Sequence, residues 1–296
     1  MRRHSQLKCG RIGLVGGHFS DINLSSVLFI HRLDDPEHVK LEVWSAPGLS
    51  KPTFEEAMKQ TFKPTRKGIS LGPSWTNHWW KVSVKIPAYW SQYERVQFEF
   101  DPGCEAMIFS VGERRASRGN RHVWLTRRCR SDGTPLQGIT GGHGGDRRVE
   151  YVIPLEARKA GHHEFVIEST CNGMFGVGGG SISPPDMNRY FSLASADLVV
   201  PNQDAWHLLW DFRVLKQISE TLPGNTPLQN KALVVANDII NAFDHKDPST
   251  VNKCRKIAES IFGEGWQAKG DKIYEEGTHK ENLVWGIGHC HIDTAW

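Results

Sequence analysis

The chain has 296 residues, 39% of them hydrophobic, with eleven tryptophans and a formal charge of +3. This composition excludes general disorder and, at this length, predicts more than one domain. The charge is local, because residues 111–130 carry seven arginines against one glutamate; the remainder is slightly acidic, and no nucleic-acid partner follows.

No stretch reaches the roughly eighteen apolar residues that span a membrane, and no continuous apolar leader opens the chain. A cytoplasmic protein with no membrane partner is expected. The six cysteines, Cys9, Cys104, Cys129, Cys171, Cys254 and Cys290, lack CxxC spacing. They are expected to be reduced and mostly buried rather than a disulfide frame.

In chain order, residues 1–39 read as an N-terminal extension and residues 40–201 as a mainly β domain. Trp79–Pro87 alternates apolar and polar residues, and Arg95–Asp101 does so again before Pro102-Gly103. Val149–Pro154 and Glu164–Glu168 repeat the pattern with turn residues between them. Half-buried antiparallel strands in a β-sandwich or jelly roll are the economical reading. Trp79, Trp80 and Trp90 are expected in its core. Trp75, placed ahead of the alternating strand, is the candidate carbohydrate contact. The glycines at residues 141–145 and 176–180 lack a Gly-Lys-Ser/Thr ending and a strand-to-helix setting, so they read as turns rather than phosphate loops.

Residues 202–281 form a helical segment. Asp204 is placed to cap a helix ending at Pro223-Gly224, Thr226-Pro227 starts a second that runs toward Phe243, and Asp247-Pro248 starts a third ending at Gly263. Gly265–Glu281 is polar and reads as a loop. Leu283–Ile287 then has the composition of a short strand buried on both faces. The residues after it, Gly288-His289-Cys290-His291-Ile292-Asp293-Thr294-Ala295-Trp296, sit at that strand's C-terminal end, where α/β folds assemble their sites. Alternation places His289, His291 and Asp293 on one face at spacings of roughly 7 Å, with Cys290 facing away. Imidazole and carboxylate so placed make half of a zinc site.

This ending resembles the opening of the catalytic domain in α-mannosidases of glycoside hydrolase family 38, cytosolic and fungal vacuolar type. Leu71–Trp80, Gly138–Gly142, Asp146–Tyr151 and Cys171–Gly176 resemble, in the same order, stretches of the β domain of those enzymes. The resemblance implies that residues 282–296 begin a catalytic α/β barrel truncated at Trp296. It also implies that His291 and Asp293 ligate Zn²⁺, with His289 a candidate to orient a ligand by hydrogen bonding.

The implied reaction is retaining cleavage of terminal α-linked mannose from mannose-containing oligosaccharides, by a homo-oligomer in the full-length form. The implied location is cytoplasmic, or vacuolar without a signal peptide. A nucleophile and an acid/base are not expected within this chain, which is therefore expected to be inactive alone. The family pattern breaks at residues 111–130, whose composition fits a solvated loop or a translated intron. Two other readings stand: a non-catalytic carbohydrate-binding or assembly module, and a metal-dependent amidohydrolase, whose His-x-His also ends a first barrel strand.

Overall fold

The computed structural model describes residues 24–111, 133–141, 147–172 and 186–267. The strands of the β unit, Phe29–Asn202, are β1 (Phe29–Leu33), β2 (Val39–Ser45), β3 (Lys63–Thr65), β4 (Ser70–Leu71), β5 (Asn77–Lys85), β6 (Gln97–Asp101), β7 (Glu105–Ser110), β8 (Pro135–Thr140), β9 (Glu150–Val152), β10 (His162–Thr170), β11 (Phe191–Ser192) and β12 (Ser195–Pro201). Two short helices join them, α1 (Phe54–Met58) and α2 (Leu155–Ala160).

Every pairing is antiparallel. A six-stranded sheet runs β3-β2-β5-β10-β7-β8, a four-stranded sheet runs β1-β12-β6-β9, and β11 pairs with β4 apart from both. The expected sandwich is present. The unit begins ahead of the boundary expected at residue 40, because Phe29–Leu33 pairs with β12 as an edge strand. Its Phe-Ile-His-Arg-Leu run has no fully buried residue, so it carries no clean alternation to read.

The inner faces of the two sheets meet over Trp80, Val82 and Val84 of β5, Phe98 and Phe100 of β6, Phe165 and Ile167 of β10 and Leu198 of β12, all buried. Trp90, on the 3₁₀ turn Ala88–Gln92, joins this core. Side chains on β5 alternate, so Trp79 points to the opposite, outer face of the six-stranded sheet. There it packs with Phe54 and Ala57 of α1 and Val166 of β10. The α1 helix is fixed over the sheet by a capping box in which the Thr53 hydroxyl accepts from the Glu56 amide and the Glu56 carboxylate accepts from the Thr53 amide. Lys81 adds its ammonium 4.2 Å from the Phe62 ring centroid on the same face.

At the centre of the four-stranded sheet the buried Asp197 carboxylate accepts from Arg32 and from Lys67, the latter at 2.8 Å, while Arg32 also reaches Glu99 at 2.8 Å. Arg32 and Lys67 thus offset the buried Asp197 and Glu99 carboxylates, and Lys67 also pairs with Asp34.

The second unit contains α3 (Gln203–Thr221), α4 (Pro227–Ala242) and α5 (Ser249–Phe262), packed pairwise. Leu208, Phe212, Leu215, Val235, Ile239, Val251, Cys254 and Ala258 are buried. Thr226 caps α4 by accepting from the Gln229 amide at 3.3 Å, with Pro227 in the first turn. Asp204 lies inside the first turn of α3 rather than ahead of it, and it binds Arg255 at 2.6 Å. Among the described residues, no helix is long and apolar enough to cross a membrane.

Candidate functional site

The outer face of the six-stranded sheet changes character toward the start of β5. Register places Thr170 of β10 between Asn77 of β5 and Glu105 of β7. Alternation puts all three on the outer face with Glu168, two residues earlier on β10. Asn77 is 0% exposed, and its amide donates to Glu168 Oε1 at 2.8 Å and to Thr170 Oγ1 at 3.1 Å. Among the described residues its own Oδ1 has no partner, and neither do the buried atoms Glu105 Oε1, Asn172 Oδ1 and Ser74 Oγ.

Burial without a partner costs about 1–3 kcal/mol per group, so this concentration calls for an explanation. Three of the four atoms are amide or carboxyl oxygens, which seek donors. Burial pushes the Glu168 carboxyl up, partly offset by the Asn77 hydrogen bond and the charge of Lys51; burial pushes Glu105 up as well.

Trp75 stands at the rim. Its backbone is left-handed, φ +70°, and the ring is 38% exposed. A tryptophan in that region is strained, and neighbours hold it there: its amide donates to Cys171 O at 2.9 Å, and its carbonyl accepts from Lys51 Nζ. Desolvation lowers the Lys51 pKa, with Glu168 opposing that shift. Lys51 and Cys171 thus fix the Trp75 backbone two residues ahead of Asn77.

Beneath the patch, Cys104 and Cys171 are buried free thiols, as expected for these two, and their side chains are hydrogen-bonded to each other. Burial and the neighbouring sulfur push Cys104 up. His78 is buried too, with Ser45 Oγ 2.8 Å from Nδ1 and Thr76 Oγ1 3.1 Å from Nε2. The ring thus meets two hydroxyls, and hydrogen bonds from Cys104 and from this same His78 side chain hold the Cys171 thiol below the ordinary thiol range.

A larger cavity of about 1080 Å³ opens elsewhere on the unit, lined by Glu55 and Met58 of α1, Leu41 and Glu42 of β2 and Glu164 of β10. None of the partnerless buried polar atoms lines it. The unpaired buried groups and the cavity are therefore separate features of the unit. Among the described residues, no group of three or more His, Cys, Asp or Glu side chains is placed to hold a metal ion.

The expected core tryptophans, Trp79, Trp80 and Trp90, are all buried, and Trp75 is the exposed exception. His289, His291 and Asp293 lie outside the described residues. The structure adds Lys51, Asn77, Glu105 and Glu168, which periodicity alone does not single out.

Comparison with known proteins decides the family. The model of the jelly roll domain of α-mannosidase matches residues 36–117 and 128–199, just over half of the chain and almost all of the β unit. This chain belongs to the α-mannosidase jelly-roll family. The match is interrupted at residues 118–127, inside the arginine-rich segment. α-Mannosidase G of Dictyostelium discoideum is 32% identical over 299 residues, covering 100% of this chain and 24% of that protein. An α-mannosidase of Saccharomyces cerevisiae is 33% identical over 95% of this chain and 25% of its own length. α-Mannosidase 2C1 of Mus musculus is 29% identical over 94% and 23%. The chain thus spans about a quarter of the length of the curated relatives it matches.

Proposed function

We propose that this chain is the N-terminal part of a zinc-dependent α-mannosidase that releases terminal α-linked mannose from oligosaccharides with retention of configuration. The observation that carries this reading is end-to-end similarity. Alignment with the Dictyostelium discoideum α-mannosidase covers the whole chain, and so the helical segment and the terminal His-x-Asp as well as the jelly roll.

His291 and Asp293 are the zinc ligands in this reading, because imidazole nitrogen and carboxylate oxygen suit the ion. His289 orients one of them through a hydrogen bond. When bound, zinc supplies Lewis-acid attraction for sugar hydroxyls. Two ligands leave a structural or catalytic zinc site incomplete, since such sites draw three or four from the protein. Retention needs two further carboxyl groups, a nucleophile and an acid/base. None is assigned to this chain, so hydrolysis belongs to the longer polypeptide. The same reading makes that polypeptide a homo-oligomer acting in the cytoplasm or, delivered without a signal peptide, in the vacuole.

The test uses this chain alone and a protein extended to the relatives' full length, each assayed with an aryl α-mannoside and zinc. The extended protein turns the substrate over and the 296-residue chain does not. In the extended protein His291→Ala and Asp293→Ala each remove both bound zinc and activity. Full activity in a metal-free Asp293→Ala protein would refute the metal assignment, and turnover by the short chain would refute the division of labour.

A further inference from the structure

We infer that Cys104 and Cys171 are a redox-active pair, which a hydroperoxide converts to a disulfide that locks β7 to β10 at one end of the sandwich. This device is independent of the hydrolysis proposed above.

Register brings the two sulfurs together. The β7–β10 ladder ends with Glu105 opposite Thr170, so the next pair along is Cys104 opposite Cys171. The chains are still adjacent there, since the Glu105 amide donates to Asn172 O at 3.1 Å. Directly opposed positions on antiparallel strands have Cα atoms about 4.5–5.5 Å apart, inside the roughly 4.4–6.8 Å that a disulfide spans. Alternation puts both side chains on the inner face, and both belong to the core cluster that holds Ile108 of β7 and Ile167 of β10. Their thiols are free and hydrogen-bonded to each other. Joining them therefore asks for side-chain rotation rather than a shift of strands.

The surroundings make the two sulfurs unlike. Hydrogen bonds from Cys104, His78 and Thr76 hold Cys171 below the ordinary thiol range, against the effect of burial. His78 arrives by the same alternation, on the inner face of β5 opposite Ser169, two residues before Cys171. Cys104 is pushed the other way by its bond to Cys171 and by burial. One sulfur is thus a nucleophile and its neighbour a protonated thiol ready to resolve the product.

The Cys171 thiolate attacks one oxygen of hydrogen peroxide; the O–O bond breaks, the sulfur becomes a sulfenic acid, and the hydroxide released takes up the proton Cys171 had lost. Cys104 then attacks that sulfur. The S–S bond forms, the S–O bond breaks, and the Cys104 proton leaves with the hydroxyl as water. Two thiols are oxidised and one peroxide is reduced to two waters.

Both residues are 0% exposed, so the first step waits on local opening and selects an oxidant hardly larger than water. The pair sits just ahead of β7 and just past the end of β10, and strand ends open at lower cost than strand centres. Once formed, the bond closes a loop from residue 104 to residue 171, and constraining so long a stretch of the unfolded chain stabilises the fold.

The test treats the full chain with hydrogen peroxide at neutral pH, blocks remaining thiols with N-ethylmaleimide, and maps non-reduced peptides by mass spectrometry. A Cys104–Cys171 peptide pair that dithiothreitol separates, with a melting temperature raised by about 5 °C until the reductant is added, supports the lock. Cys104→Ser should stop at the sulfenic acid on Cys171, trapped by dimedone, with no rise in melting temperature. In Cys171→Ser, Cys104 should stay unoxidised. Circular dichroism checks the fold of both variants, and if either fails to fold, the wild-type cross-link and its reversal still decide.

Peroxide that leaves both thiols free, or that joins them only in urea, would overturn the native pair. Oxidation of Cys104 in Cys171→Ser at the wild-type rate would overturn the assignment of the nucleophile, and a cross-link without change in melting temperature would overturn the lock.

Discussion

The two faces of the six-stranded sheet follow different rules. Its inner face is mainly apolar, packed against the opposing sheet through Trp80, Val82, Val84, Phe165 and Ile167, with His78, His163 and Ser169 as its polar members. Its outer face is apolar only where α1 covers it, through Phe54, Ala57, Trp79 and Val166. Beyond Trp79 the same strands carry Asn77, Glu168 and Glu105, and among the described residues Asn77 Oδ1 and Glu105 Oε1 have no hydrogen-bond partner. One face is spent on stability. The other is divided between holding a helix and enclosing a buried polar cluster.

Substitutions on the two faces should separate these roles, and the largest effect belongs to the inner face. Trp80→Ala removes the most buried kind of side chain and its 2.9 Å hydrogen bond to Ser169 Oγ. It should cost about 3–5 kcal/mol in urea unfolding, and a loss below about 1 kcal/mol would show that the inner face is not the main core.

Phe54→Ala strips the anchor of α1 from the outer cluster and should cost roughly 2 kcal/mol, less than a deep core deletion because the cluster is shallower. Thr53→Ala, which removes only the cap, should cost about 1 kcal/mol. If Thr53→Ala cost more than Phe54→Ala, the helix would be held by its end rather than by its packing.

Acidification distinguishes the faces by sign. On the inner side burial holds His163 down to about 4, against an ordinary 6.5, with Tyr151 OH 3.1 Å from its Nε2. The unfolded chain therefore binds the proton more tightly, and this contribution is present above pH 6.5 and lost as pH falls toward about 4. After discounting for its partial exposure the loss is roughly 1–2 kcal/mol.

On the outer face Glu168 and Glu105 are raised above the ordinary 4.5, so the folded state holds their protons more tightly and acid favours it as pH falls toward that value. His163→Phe should flatten the loss of stability between pH 6.5 and pH 4, whereas Glu168→Gln should steepen it. Equal slopes in wild type and both variants would sink this assignment.

The smallest effect carries the opposite sign. Trp75→Gly relieves a left-handed tryptophan and should leave stability unchanged or raise it by about 1 kcal/mol in urea unfolding. A clear loss of stability would mean that the ring is packing after all.

Much of the sandwich was legible because β5 and β10 alternate along their length and two-residue periodicity survives any change of partner. The helices were legible from Thr226-Pro227 and from Gly263, which stop and start the chain by backbone chemistry alone. Phe29–Leu33 was not, since an edge strand carrying His31 and Arg32 has no buried alternation to announce it. Of the polar patch only Trp75 was singled out, from its place ahead of a strand. Asn77, Glu105 and Glu168 look in sequence like ordinary solvent-facing positions; what distinguishes them is burial by neighbouring strands, which single-chain periodicity does not encode. The signal available was an asparagine opening a strand directly before Trp79, and a glutamate in the outward register of β10.

The margin of the six-stranded sheet has a consequence for how this domain changes over time. β8 is its last strand, paired only with β7 and largely exposed along its length. The β7–β8 connection contains the residues at which the family match lapses. Closing a longer loop costs only about 0.6 kcal/mol for each doubling of its length. Material added between the edge strand and its one neighbour shifts no register elsewhere in the sheet, so this hairpin can gain or lose residues while the rest of the sheet stays the same. It is also the natural place to splice in a reporter peptide without disturbing the domain.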